Sequence, residues 1–287
     1  MKISVLTLVR GRREQYAALR AGLRRQDQAP HELVVAYMQT AAHSGLDEVP
    51  YPVRSTFVDG DDLPLAAARN EAATTARGEG LIFLDVDCIP SRSLIASYRK
   101  ALTEIDGCFM SEVLYLGPGD NVVHADTPAL VDRQLDLRGH RHPARPPSLV
   151  GERWRREPDA TQLWGLAFGM RRSTYLRVGG MDPGFKGYGG EETDFAMRLS
   201  RTPISTFWLN HARCYHQYHS MHSPPLQHFF GIIANARRFR SRWGDWCMTH
   251  WLDLFERAGL IRRSRGKIDV LRAPSAAEVD ASRVPSS

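Results

Sequence analysis

The apolar positions come first in runs that alternate with helical spacing. ISVLTLV at 3–9 is a continuous apolar, β-branched stretch, as a strand buried on both faces requires. REQYAALRAGLRRQ at 13–26 then places its apolar residues at helical intervals. ELVVAYM at 32–38 and VRSTFVD at 53–59 predict two more strands. LAAARNEAATTARG at 65–78 is alanine-rich and closes on a glycine, which predicts a helix with its C-cap. LIFLDVDCIP at 81–90 is a fourth apolar strand that turns acidic and stops at Pro90, and SLIASYRKALTEI at 93–105 predicts the next helix. Such alternation predicts an α/β fold, a mostly parallel sheet with helices on both faces. Ligands are expected at the carboxyl ends of its strands.

The pattern changes after about residue 117. Residues 117–160 are rich in Pro, Gly, Arg and His with little periodicity, and read as a long excursion ordered in part by substrate. Order returns in LWGLAFGMRRSTYLRVGG at 163–180, a short strand and a helix. A second helix follows the glycine loop, then the strand STFWLNHARCYH at 205–216. From 262 onward the chain is polar and small-residue-rich, and its end reads as a flexible tail. No internal repeat is visible.

With 287 residues and 43% apolar composition the chain can bury a sizeable core, and no run reaches the roughly 18 apolar residues of a membrane span. MKISVLTLVRGRR carries its basic run after the apolar stretch, the reverse of a signal peptide, so the expected location is cytoplasmic. Cys88, Cys108, Cys214 and Cys247 form no C-x-x-C pair, which argues for reduced structural thiols. The net charge of +6 is concentrated in RGRR at 10–13, RWRR at 153–156 and RRFRSR at 237–242. No nucleic-acid motif accompanies these clusters, so no nucleic-acid partner is expected. They are read either as solvated faces or as contacts for phosphate-bearing substrates and, peripherally, the inner membrane face.

Three constellations carry chemistry. Asp85 and Asp87 sit where a buried strand leaves the sheet. Two carboxylates there call for a hard divalent cation, Mn²⁺ or Mg²⁺, shared with substrate phosphates. The first strand is followed by neither G-x-G-x-x-G nor a P-loop, so a diphosphate bound here would rely on metal and arginine. GYGGEETDF at 187–195 sets three glycines before Glu191 and Glu192 at a helix start. Gly189 and Gly190 let the backbone pass close beneath a ligand. The helix dipole is expected to hold the carboxylates ionised. CYHQYHSMH at 214–222 spaces His216, His219 and His222 by three; one metal ligand among them is expected, and a zinc site with Cys214 is the alternative. Trp164 and Tyr188 offer flat faces for sugar rings, with core burial as the other reading for Trp164.

LAAARNEAATTARGEGLIFLDVDCIP and WGLAFGMRRSTYLRVGGMDPGFKGYGGEETDFAMRL together resemble the two signature regions of inverting, metal-dependent glycosyltransferases of the GT-A fold. The similarity is to the large family 2, especially its galactosyltransferase and N-acetylgalactosaminyltransferase relatives, and covers about residues 1–220. In those enzymes the second region reads approximately (W/F)GG…F…(N/G)GF…(W/Y)GWGGED. The resemblance implies a donor-binding half at 1–116, an acceptor-binding and catalytic half at 117–245, and a C-terminal helix and flexible tail at 246–287. It implies that Asp87 and His216, or His219 instead, hold the metal, with Asp85 on the ribose or reaching the metal through water. Glu192 matches the catalytic base and Glu191 the carboxylate on acceptor hydroxyls. The pair is Glu-Glu where relatives often have Glu-Asp. Trp164, Tyr188, Gly189 and Gly190 fall at the acceptor. Thr7, Val9, Arg10 and Arg69 fall at the nucleotide, with Asn70 completing the family's Arg-Asn.

The activity this implies is transfer of a hexose or N-acetylhexosamine from a nucleotide diphosphate sugar, most simply a UDP-sugar. The acceptor would be a hydroxyl of a glycan, a lipid or a small molecule. Sugar nucleotidyltransferase and catalytically silent binding module are the alternatives. The first would need a glycine-rich basic loop after the first strand, whereas RGRREQ has a single glycine. The second need not keep a base and metal ligands together.

Overall fold

The computed structural model describes residues 1–59, 62–123, 127–146, 148–264 and 266–284. The first half alternates as the pattern predicts: β1 (Ile3–Val9), α1 (Arg13–Arg24), β2 (Glu32–Tyr37), β3 (Val53–Phe57), α2 (Leu65–Thr75) and β4 (Gly80–Leu84). After a turn come β5 (Cys88–Pro90), α3 (Leu94–Glu104) and β6 (Cys108–Tyr115). The long excursion contains α4 (Pro128–Arg138), β7 (His140–Arg141) and β8 (Trp154–Glu157). Then follow β9 (Ala167–Arg171), α5 (Arg172–Arg177), α6 (Glu191–Leu199), β10 (Thr206–His216) and β11 (Met221–His222). The chain ends with α7 (Phe229–Trp243), α8 (Thr249–Arg257), β12 (Ile261–Ser264), β13 (Lys267–Val270), α9 (Ala276–Ala281) and β14 (Arg283–Val284).

The main sheet runs in the order β3-β2-β1-β4-β9-β6-β10-β5, with β7 on β6 and β8 on β10. β1 to β4 are parallel, β9 enters antiparallel between β4 and β6, and β6 and β10 are parallel again. β1 is buried along its whole length because it feeds two cores. Ile3, Val5 and Val9 pack with α1 and α3 on one face, while Leu6 and Leu8 pack with α2 on the other. That is the three-layer arrangement a continuous apolar run requires. The alanines of α2 let it lie close against the sheet, and Phe83 stacks on Phe168 at 4.6 Å in the same layer.

Three sequence expectations change. The acidic stretch is not one strand from 81 to 90: the strand ends at Leu84, and Cys88 N–H donates to Asp85 O at 2.9 Å to close a turn that carries both aspartates. The excursion holds a regular helix, α4, started by Thr127, whose side chain accepts from Leu130 N–H. Much of the stretch from 262 is folded, while position 265 and the last three positions lie outside the described residues. β12 and β13 form a hairpin, and Ser275 and Glu278 close a capping box on α9. Ile261 and Ile268 of the hairpin pack with Leu252 and Phe255 of α8 and Ile232 of α7 in a separate core. Short polar segments concealed this, because two isoleucines suffice to dock them. Replacing Ile268 by Ala should therefore lower the free energy of unfolding by about 2–5 kcal/mol in chemical denaturation, whereas a loose tail would give no change.

Candidate active site

Two corners of the carboxyl edge of the sheet meet here. The first is built by strand register. β5 pairs antiparallel with β10 so that His216 lies opposite Cys88, and Gln217 N–H donates to Asp87 O at 2.8 Å. The end of β10 is thus fastened to the acidic turn. His219 follows in the next loop, its Nε2 3.6 Å from Asp87 Oδ2. The ligand atoms of Asp87, His216 and His219 all lie within 4.8 Å of one another. Both histidines expected as alternatives therefore converge on one aspartate. His222 does not: its Nδ1 lies 3.0 Å from Val279 O and 2.9 Å from Ser282 Oγ. Cys214 is buried in the hydrophobic core, which removes the zinc alternative that used it.

The donor set suits a divalent cation. Asp87 Oδ1 and His216 Nδ1 are buried without a hydrogen-bond partner, an arrangement proteins rarely leave uncompensated. Burial pushes the His216 imidazole down to about 4, so the ring stays neutral and able to ligate at ordinary pH. The remaining oxygen of Asp87 is held by Arg12, which the sequence showed only as part of a basic run. Arg12 sits in the left-handed region at φ 51° at the start of α1, a conformation that turns its side chain back over the acidic turn. Burial and the neighbouring Asp87 raise Asp85 above the usual carboxylate range, against the pull of His216, Arg69 and Arg12. Asp85 thus feels both corners. Thr7 and Val9 line the buried end of β1, with Thr7 Oγ1 unpartnered, and Val9 O accepts from Met38 N–H at 2.9 Å. Arg10 is exposed at the exit of the strand.

The second corner is the start of α6. Gly189 and Gly190 have φ of 85° and 93°, the left-handed region that favours glycine. Glu191 is 2% exposed, and its Oε1 accepts from Arg69 Nη1 at 2.9 Å. The arginine that resemblance assigns to the nucleotide is therefore engaged with a carboxylate, because α2 carries it under the first turn of α6. Asn70, next on α2, accepts from Met181 N–H at 2.8 Å and Tyr175 Oη–H at 2.7 Å, fixing the approach to the glycine loop. Glu192 departs from expectation. Burial and the adjacent Glu191 push it up to about 8 from an ordinary value of 4.5, against the pull of Arg69. A helix N-terminus is worth at most ~2 kcal/mol, about 1.5 pKa units, too little to offset that environment. The dipole loses.

Gly165 is a further site residue that the expectations passed over. A β-carbon there would collide with the Arg69 guanidinium and come within 3.0 Å of Glu192 Oε2. The WG dipeptide was its only sequence signal. Trp164 itself is half-buried with the Arg145 guanidinium 3.2 Å from its ring centroid, so one face expected for a sugar carries a cation. Tyr188 is 39% exposed and stacks on His228 at 5.0 Å beside Trp251. The RRFRSR cluster turns inward to acids: Arg238 and Arg242 bind Asp182, and Arg242 also binds Asp194 at the first turn of α6. It braces the helix.

Residues 145–220 match the family described as the N-terminal domain of galactosyltransferase. The chain's fold is the GT-A fold, and this stretch is similar to the galactosyltransferase family. Comparison with curated proteins finds no match. Among solved structures, S. aureus TarS 1-349 shares 15% identity and a TM-score of 0.54, covering 88% of this chain and 68% of that one. The same protein has been solved in complex with UDP-GlcNAc, at 14% identity and a TM-score of 0.54, covering 88% of this chain and 69% of that one. GalNAc-T7, solved with UDP, GalNAc and Mn²⁺, shares 16% identity and a TM-score of 0.52, covering 92% of this chain and 59% of that one. The chain spans less than two thirds of GalNAc-T7. Among the described residues no helix is long and apolar enough to cross a membrane.

The buried Arg69–Glu191 pair should behave as a unit. Arg69→Met strands a buried carboxylate and should cost about 3–5 kcal/mol in denaturant unfolding. Adding Glu191→Leu should recover much of that loss, and a double variant no better than the single would show that the pair does not carry the coupling.

Proposed function

We propose that the protein is an inverting, divalent-metal-dependent glycosyltransferase of family 2 type, using a UDP-sugar and an acceptor hydroxyl. One observation carries the reading: an unneutralised carboxylate, Glu192, stands beside an arginine-paired one, across the edge of the sheet from an Asp–His–His cluster. Inversion by single displacement needs a base at the attacking hydroxyl and positive charge at the leaving diphosphate.

Glu192 is the base in this reading. Glu191 is held by Arg69 and has one oxygen occupied, so it orients the acceptor side and sets the basicity of its neighbour. A carboxylate held at about 8 takes a hydroxyl proton more readily than one near 4 and is still partly ionised near neutrality. Asp87, His216 and His219 would hold Mn²⁺ or Mg²⁺, which when bound supplies positive charge for the leaving diphosphate. Arg12 brings a second cation to the same turn, and the β1 exit at Thr7, Val9 and Arg10 would face the base and ribose. Tyr188, Trp164 and the Gly189–Gly190 backbone wall the acceptor side. The bound UDP of TarS, reported for one of its structures, and the UDP and Mn²⁺ of GalNAc-T7 support the choice of donor and ion.

Two measurements test this. Glu192→Gln keeps shape and loses basicity, so kcat should fall ~10²–10⁴-fold with little change in UDP affinity. In the wild type, kcat/KM should rise with pH through about 8 as Glu192 deprotonates, and that limb should vanish in the variant. A retained anomeric configuration, or a variant as fast as wild type, rejects the mechanism. Separately, Asp87→Ala, His216→Ala and His219→Ala should each weaken Mn²⁺-dependent UDP binding at least ~10-fold by calorimetry. His222→Ala should leave it unchanged, since its ring is engaged with Val279 and Ser282. Tight UDP binding that survives a chelator would overturn the metal assignment.

A further inference from the structure

Arg12 occupies the corner that the Asp–His–His cluster offers a cation. Its guanidinium donates to Asp87 Oδ2, the same oxygen that lies 3.6 Å from His219 Nε2. Oδ1 of that carboxylate is inaccessible, so a cation arriving from solvent meets Oδ2 first. The Asp87 side chain is 5% exposed and that of Arg12 39%, which makes the arginine the outer member of the pair. A divalent ion bound by Asp87 and His219 would have to share this oxygen with a guanidinium. Asp85 and Asp87 together carry at most two negative charges, against three from a divalent ion and an arginine. Like charges a few ångströms apart repel strongly where burial keeps solvent from screening them. The two cations exclude each other.

The arginine can leave without disturbing the fold, because the backbone that carries it is fixed separately. Arg12 O accepts from Tyr16 N–H at 3.0 Å, and Gly11 N–H donates to Gln39 Oε1 at 2.6 Å. His43 Nε2 also lies 2.7 Å from Gly11 O. Only the side chain need swing, and among the described residues Asp87 is its one ion-pair partner. The left-handed φ of 51° is uncommon for an arginine, and outliers of this kind persist where the direction of a side chain matters. Off Asp87, the guanidinium would stand at the same turn with its donors open to an anion.

We propose that Arg12 is a resident competitor for the divalent cation. Without ligand it holds Asp87, and it swings off when a cation takes that carboxylate. Its freed donors then grip the diphosphate of the nucleotide, so cation and nucleotide each strengthen the other's binding. This rests on the metal reading of the corner, though not on transfer of a sugar.

Mn²⁺ is the probe, added to the full chain without nucleotide and followed by loss of its free-ion electron paramagnetic resonance signal. Arg12→Met should bind it at least about tenfold more tightly than the wild type. A side chain that merely supported Asp87 would lose affinity on removal, so the sign of the change decides. Saturating UDP should then raise Mn²⁺ affinity by a larger factor in the wild type, which alone has a guanidinium to hand over. Should Arg12→Met misfold, Arg12→Gly should show the same gain, since glycine accepts φ 51° freely, with thermal unfolding as the control. Equal or weaker Mn²⁺ binding in the variants overturns the proposal, and so does equal enhancement by UDP. Mn²⁺ binding absent from wild type and variants alike, even with UDP, would reject the metal reading itself and this inference with it.

Discussion

The buried contact between Arg69 and Glu191 organises the catalytic edge. It joins α2 to the first turn of α6, and both partners are almost inaccessible. A charge removed from water to that degree is tolerated only when its partner is fixed. Asn70 holds the approach to the glycine loop, and Asp194 with Arg198 and Arg242 holds the body of α6. Arg69 hydrogen-bonds Glu191, while its pull on Glu192 is outweighed by burial and by Glu191, so two adjacent acids of the same type sit in different electrostatic settings. The difference comes from environment, since their side chains are identical.

The opposite corner depends on register in place of charge. Pairing of β10 with β5 brings His216 to the acidic turn, and a slip of one residue would aim His216 to the other face of the strand. Arg12 then neutralises Asp87 in the protein alone. Asp85, between the corners, registers the charge of both.

Much of this was legible in the chain. The β-branched run at 3–9 and the alternation after it fix the three-layer sheet, because periodicity reports burial directly. GYGG before Glu191 and DVD after an apolar strand marked both corners. What could not be read was tertiary. The elevated Glu192 depends on burial beneath Gly165 and on Glu191, which no local pattern encodes, while the helix dipole, a local feature, pointed the wrong way. Arg12 looked like one of many surface arginines until the left-handed turn before α1 aimed it at Asp87. Residues 117–160 hid α4 because its buried face is narrow, with Val131 and Leu135 as its buried residues.

The folded C-terminal module gives the glycine loop its rigidity. Glycine-rich loops are costly to order because they lose the most conformational freedom. Here the backbone is clamped from behind: Asn235 Nδ2–H donates to Gly189 O at 2.8 Å, and Gly190 packs on Phe185 and Cys247. A β-carbon on Gly189 would run into Met248 and lie 3.1 Å from Trp251. Those residues sit on α8 and the loop before it, which are held by the same core that seats Ile261 and Ile268. Trp251 also flanks Tyr188. The module therefore forms the rear wall of the loop that presents Glu191 and Glu192. The two glycines are required by two constraints at once: a left-handed backbone, and a neighbour too close for any side chain.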